Sequence, residues 1–537
     1  MMIAARYTNP LHRLLLVGPV PNEIIGNPTD IVPGDAGQGT AILGGQFALG
    51  GHKIQIEGNT PWRLRPPRDR WHTQLYGFSW LRDLRAVGSA RARKRAQEIV
   101  ASWIDTFGEW DQPSWRPQIT GRRLAAWLTH GDFLLKDADA AFARLFFKSA
   151  VRQGRYLARA VRGGDDGAAR LSAIKGLIYS GICLPRGERR AALGARLLEQ
   201  ELLRQILSDG GHCERSPSLQ LAVLKDLVDL RQTLLGSHRE PPPSLQGAVD
   251  RMAPLLRTFR HGDGRLALFN DGSEEDVWLI DLVLAQADAK GRPLVSAPHT
   301  GFQSIQAGRT ALIVDAGRPS PVGRRAHAGT LSFEMSVGKD RMIVNCGGYV
   351  GPDAAWRRAL RATAAHSTLS VDETSSSEIR DDASLGDGPR KVTIERKESD
   401  GNIWLDTSHD GYLHRLGVIH RRRFYLSADG GDVRGEDVLI RRASKGKGAR
   451  HFNVRFHLHP DVHASMVQDG SAVLIRLPGG TGWQMHAAGG RLGLSESVYL
   501  SAPGNRRRTE QIVIEGEIAG ETTTTKWAFR RVGQGSD

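Results

Sequence analysis

The apolar residues of this chain change their spacing once, near residue 300, and that change dictates two unlike halves. From about Pro67 to His261 they recur every three to four positions, the period of a helix with one buried face. Leu219, Val223, Leu224, Leu227, Val228, Leu230 and Leu234 follow Ser216-Pro217, a pair suited to open a helix. The same spacing predicts helices over 81–107, 120–135, 139–162, 168–184, 189–208 and 245–260. Gly163-Gly164, Pro185-Arg186-Gly187 and Pro241-Pro242-Pro243 break the pattern between them. Helices of this length on short loops stack as antiparallel hairpins in a bundle, solenoid or toroid. From about Thr300 the period falls to two, as in Ala311–Asp315, Leu331–Met335, Arg341–Asn345, Lys391–Glu395 and Gln511–Glu515. Many short strands with no helix between them predict antiparallel sheets packed into a large sandwich. The expected division is an N-terminal arm over 1–60, a helical domain over 61–262, a linker over 263–300 and a β-sandwich over 301–537. A cleft between two such domains is a common place for a ligand.

Charge narrows the ligand. Lys and Arg number 73 against 58 Asp and Glu in 537 residues, a formal net charge of +15. Such an excess attracts polyanions: nucleic acid, an anionic membrane surface or an acidic polysaccharide. The basic runs Arg324-Arg325, Arg421-Arg422-Arg423 and Arg506-Arg507-Arg508 lack interleaved aromatics, so no nucleic-acid partner is expected. They read as solvated strand ends or the positive walls of a groove. Cys183, Cys213 and Cys346 are far apart and make no CxxC pair, which argues against a disulfide framework. No run approaches the length of a transmembrane helix. Leu14-Leu15-Leu16-Val17 is too short for an export signal, so the sequence by itself reads as unexported. Phosphate loops, zinc-protease helices and serine-nucleophile elbows are all missing from it.

Three polar clusters interrupt the apolar pattern. Asp209-Gly210-Gly211-His212-Cys213-Glu214-Arg215-Ser216-Pro217 sets His212, Glu214 and Arg215 just before a helix start, where anions are favoured. It reads as an acid/base and carboxylate-binding loop, or as an ordinary connection with a Ser cap. In the second half, His327 and His366 lie on separate strands and would hold a metal if the sheet joined them. Asn345 or Cys346 is the neighbouring third group, and Arg325 precedes the first histidine. Ser408-His409-Asp410-Gly411-Tyr412 makes a turn whose His409 and Tyr412 could face a cleft. Phe456-His457-Leu458-His459 places two imidazoles on one strand face, read as internal hydrogen-bonding groups.

These clusters, in this order, resemble the heparinase II/III family of polysaccharide lyases over roughly residues 60–535. The resemblance rests on Trp80-Leu81-Arg82-Asp83-Leu84, Gly121-Arg122-Arg123, Asp209–His212 with Ser216-Pro217, Ala326-His327-Ala328 through Glu334, Asn345-Cys346-Gly347 and His366-Ser367-Thr368. It implies an incomplete (α/α) toroid followed by a large antiparallel β-sandwich, and β-elimination on a uronate-containing or sulfated acidic polysaccharide. That reaction needs a neutralised carboxylate, a base for the α-proton and an acid for the leaving oxygen. It also implies a structural zinc on His327 and His366 with Asn345 or Cys346. The place it implies is the periplasm or cell envelope, against the cytoplasm suggested by the N-terminus.

The family's catalytic Tyr falls at Ser218, Leu219 and Gln220, its catalytic His at Arg325, and an Asp of its strand motif at Gly329. The lyase reading therefore rests on relocated groups: His212, His409 and Tyr412 as base and acid, with Glu214, Arg215 and Arg325 binding substrate. Arginine cannot be a base near neutral pH, so Arg325 can only hold charge. The alternatives are a non-catalytic acidic-glycan-binding protein, a nucleic-acid binder, and a glycoside hydrolase using Glu214 with a distant Asp.

Overall fold

Nearly every expected helical run is a helix in the computed structural model, which describes residues 14–56, 60–62, 70–163, 166–349, 351–442 and 450–533. Residues 1–13 of the expected arm, Pro67 and Gly164 lie outside that set. The run over 81–107 divides at Gly88-Ser89 into Leu81–Val87 and Ala90–Phe107, with Ser89 Oγ accepting the Ala92 N–H at 3.1 Å. Pro117–Thr129, Ala140–Ala160, Gly167–Cys183 and Glu188–Gln205 follow. Pro117 extends its helix ahead of the expected start because a first-turn proline gives up no hydrogen bond. Pro117–Thr129 and Gly167–Cys183 touch backbone to backbone at Gly121 and Gly176, where a Cβ on either would lie 2.4 Å from the other helix's main chain. Among the described residues no helix is long and apolar enough to cross a membrane.

The chain forms two compact units that do not follow its order. Met1–Ile206, Ala222–Asp250 and Asp281–Asp288 make one, and Leu207–Leu221, Arg251–Ile280 and Ala289–Asp537 make the other. The expected linker over 263–300 is thus mostly part of the sheet-bearing unit, and it includes the helix Val277–Ala287. In the helical unit the arm is fixed along the helix Pro217–Gly236 and just past its end. Backbone N–H groups of Asn27, Thr29 and Ile31 donate to Ser237, Thr233 and Asp229. Beneath them Lys175 bridges Asp226 and Asp229, and Lys225 bridges Asp229 and Asp30, at 2.5–3.1 Å.

The second unit holds an eight-stranded and a nine-stranded antiparallel sheet. The eight-stranded order is His463–Val467, Ala472–Arg476, Gly482–Ala488, Thr522–Arg531, Asp432–Arg441, Val418–Leu426, Asn402–His409, Val392–Ser399. Inward side chains of both sheets form one core, including Phe333, Phe424, Phe456, Trp483 and Trp527. The sandwich is not free of helices: Asp353 caps Ala354–Arg361 within this half. The three consecutive arginines alternate with the pleat. Arg421 and Arg423 point outward to Asp406, while Arg422 is fully buried. It meets Asp437 through two bonds at 2.7 and 2.9 Å, and also the carbonyls of Leu331 and Ser367.

Candidate functional site

The Asp209–Pro217 loop lies wholly in the sheet-bearing unit. Asp209 fastens it by accepting from Thr300 N–H and Oγ–H, both at 2.6 Å. Arg215 is buried with every arm of its guanidinium engaged: Nε donates to Thr300 O, Nη1 to Arg318 O, and Nη2 pairs with Asp315. It lies 4.9 Å above the Phe302 ring. Glu214 is buried with its carboxylate against Gly323. His212 is buried too, and its Nδ1 accepts the Glu214 N–H at 3.2 Å, which puts the proton of the neutral ring on Nε2. Burial, with the nearby Arg325 cation, pushes this imidazole down to about 4. At neutral pH His212 is therefore a hydrogen-bond donor through Nε2, and it can take a proton only by giving up its bond to Glu214.

In the same unit His327 and His366 meet. His366 Nδ1–H donates to Ala362 O at 2.8 Å, so its Nε2 accepts from His327 Nδ1 at 3.1 Å. The other face of His327 lies 3.0 Å from Asp271 Oδ1, and Asp271 Oδ2 pairs with Arg361 at 2.8 Å. Burial alone would raise the Asp271 carboxyl. The His327 hydrogen bond and the charges of His327, Arg361 and Arg325 outweigh it and hold the group well below the usual carboxylate range. Asn270 completes the cluster, accepting His327 N–H and donating to Arg215 O.

Two histidines converge, but the rest of the expected zinc set does not join them. Asn345 Oδ1 accepts from Ser367 N–H and its Nδ2 donates to Leu268 O. Cys346 Sγ faces His457 Nδ1 at 3.5 Å, and burial pushes the thiol up to about 12, so it is no thiolate at neutral pH. Among the described residues no three His, Cys, Asp or Glu side chains are arranged to hold a metal ion. At Gly329 an added Cβ would come 2.7 Å from His366 Cδ2, so a side chain there has no room. The donors present do not fit a zinc centre; one imidazole satisfies the other.

His409 and Tyr412 are in the sandwich core, not at a solvent-facing turn. His409 Nδ1 accepts Gly411 N–H at 3.0 Å, its Nε2 faces His420 Nδ1 at 3.2 Å, and His420 Nε2 donates to Asp437 at 2.7 Å. Tyr412 is fully buried and its hydroxyl donates to Leu369 O at 2.9 Å. Both side chains are committed to the fold, which removes them from the expected catalytic set.

The family models agree with this architecture. The Heparinase II/III N-terminus model matches residues 40–287, and the Heparinase II/III-like C-terminal model matches 289–528. The chain belongs to the heparinase II/III family. By family it is polysaccharide lyase-like. Its fold is like that of a heparinase III crystal structure, with a TM-score of 0.77 at 14% identity over 99% of this chain and 90% of that one. A heparan sulfate lyase from Pedobacter heparinus gives 0.65 at 17% over 95% and 85%. The fold is thus the heparinase III-like toroid and β-sandwich. A much nearer sequence is the FtsZ-localized protein C of Caulobacter vibrioides, 36% identical over 530 residues, 95% of this chain and 90% of that protein.

Against the heparinase pattern, the position of the family's Tyr holds no acid or base. Leu219 is buried, Ser218 Oγ accepts Ser273 N–H, and Gln220 is consumed by His212 N–H and the carbonyls of Gly210 and Met252. Arg215, expected to bind substrate, is a structural pin. Arg325 is half-buried, and its charge acts on both His212 and Asp271. Of the two imidazoles expected to have internal roles, His457 bonds Ser497 Oγ and Ala364 O at 2.7 and 3.0 Å. Asn270 and Asp271 belong to no motif that spacing picks out. The signal available was the turn Asn270-Asp271-Gly272, where both residues carry left-handed backbone angles.

Proposed function

We propose that this chain is a heparinase-fold protein that localises with FtsZ and does not cleave polysaccharide. The observation that carries this reading is the 36% likeness, over nearly the whole chain, to a protein named for its localisation with FtsZ. The site supports it. β-Elimination needs a base and an acid within reach of one sugar, and the inherited positions offer Leu219 and Arg325 while His409 and Tyr412 are buried. A fluorescent fusion in the native host, imaged with labelled FtsZ, tests the association. Coincident signals are expected; a distribution unrelated to FtsZ overturns it. The purified chain, incubated with uronate polysaccharides, is expected to produce no ultraviolet absorbance from unsaturated uronate.

The neutral His212 beside Arg325 favours a second reading, lyase action on an acidic polysaccharide. In it Arg325 neutralises the uronate carboxylate, His212 Nε2–H hydrogen-bonds the leaving oxygen without giving up its proton, and solvent water takes the α-proton and returns one to that oxygen. That reading requires an absorbance rise that disappears in His212→Ala.

A further inference from the structure

The outward face of the eight-stranded sheet carries a built depression unrelated to the His212 loop. Strand pairing aligns one residue from each of five neighbouring strands. Trp404 pairs with Tyr425, Tyr425 with Arg434, Arg434 with Ala528 and Ala528 with His486. The next outward row is Asp406, Arg423, Glu436, Lys526 and Ala488. Because Ala528 and Ala488 are short, the taller side chains around them wall a hollow of about 450 Å³. Trp404 is 38% exposed, a large apolar ring left to solvent, with its centroid 5.3 Å from that of Tyr425. The Arg434 guanidinium lies 5.4 Å from the Tyr425 ring.

The rim carries both signs of charge. Among the lining residues Arg423, Arg434 and Lys526 face a single acid, Glu436. Arg423 bonds Asp406 and Glu436, Arg434 bonds Asp432, and the Lys526 ammonium is 3.8 Å from Glu436 with 68% of its side chain in solvent. An aromatic platform offers its negative face to the C–H side of a pyranose ring. The cations suit a carboxylate, and the acids between them accept from hydroxyls. The volume lies within the range of small-ligand sites and takes about one or two sugar rings.

We propose that this face is a carbohydrate-binding surface that takes an acidic pyranose unit, its ring on Trp404 and Tyr425 and its carboxylate toward Arg434 and Lys526. The surface shares no lining residue with the His212 loop or the His327–His366 pair, and it does not depend on the FtsZ reading. Isothermal titration of the full chain tests it, using tetrasaccharides of hyaluronan and of galacturonate, neutral maltotetraose, and a short Asp/Glu peptide bearing one Phe. At least one uronate tetrasaccharide is expected to bind. Trp404→Ala, and separately Ala528→Trp, which fills the hollow, are each expected to weaken it about tenfold or more. Both substitutions are at the surface, so unchanged melting of either variant validates its arm. Failure of both uronates overturns the proposal. So does binding unaffected by the variants, equal binding of maltotetraose, or binding of the peptide alone. FtsZ co-localisation is measured separately, so the two readings fail independently.

Discussion

At the scale of single residues, one backbone hydrogen bond decides what an imidazole can do. His212 gives its Nδ1 lone pair to Glu214 N–H and keeps its proton on Nε2, so its chemistry at neutral pH is donation. In the His327–His366 pair, His327 donates into the very lone pair that His366 would offer a metal. Treatment with a strong chelator is therefore expected to leave the melting temperature unchanged. A melting point that falls with chelator contradicts the pairing. His327→Ala is expected to lower stability in denaturant unfolding by about 1–3 kcal/mol, because Asp271 and His366 each lose a buried partner. The two histidines converge as expected but not from strands: His327 lies in the loop before Phe333–Val337, and His366 directly follows the 3-10 turn Thr363–Ala365. The fate of the third donors was not legible. Ser367, Leu268 and His457 draw off Asn345 and Cys346, and those contacts exist only once the chain is folded.

At the scale of elements, apolar spacing located the helices to within a few residues, since one face of each must be buried. What spacing could not supply was the polar packing between them. Lys175 lies in a helix with almost no polar face, and only the fold brings Asp226 and Asp229 to it. Lys175→Met is expected to cost about 3 kcal/mol in denaturant unfolding, the low end for a broken buried pair. The low end applies because Asp229 keeps Lys225 while Asp226 is only half-buried. Lys175→Arg is expected to recover part of the loss, since a planar guanidinium cannot take the place of a compact ammonium between two carboxylates. Full stability in Lys175→Met contradicts the assignment. For the strands the alternation itself held the answer about His409: Ile403, Leu405, Thr407 and His409 share one face, and that face is the core. The turn that follows drew attention to the wrong side of the sheet.

At the scale of the whole molecule, the +15 net charge is not a count of free arginines. Arg215, Arg341, Arg361 and Arg422 are buried and each answers an aspartate, so the excess is carried by the remaining surface. Buried histidines set the response to acid. Burial pushes His130, His212 and His457 down to about 4, from the ordinary imidazole value of about 6.5. Between those two pH values the unfolded chain binds protons that the folded chain refuses. Stability is therefore whole above about pH 6.5 and falls as the pH drops toward 4, by up to about 1.4 kcal/mol per pH unit for each histidine. Urea midpoints measured across that range are expected to fall steadily, and a flat profile contradicts the burial of these rings. The two-part architecture was legible at this scale because a change of period needs no knowledge of contacts. The crossing of the chain between its units was not legible, because the helix Pro217–Gly236 is divided between them without any break in its apolar spacing. That division bears on whether either half can stand alone. The chain passes from one unit to the other five times, at 206/207, 221/222, 250/251, 280/281 and 288/289. A gene cut at residue 288, where the two family models meet, would separate His261 from Glu334, Asp263 from Arg341 and Asp271 from His327. Each fragment of such a cut would be left with buried charged groups stripped of their partners, so neither is expected to fold by itself.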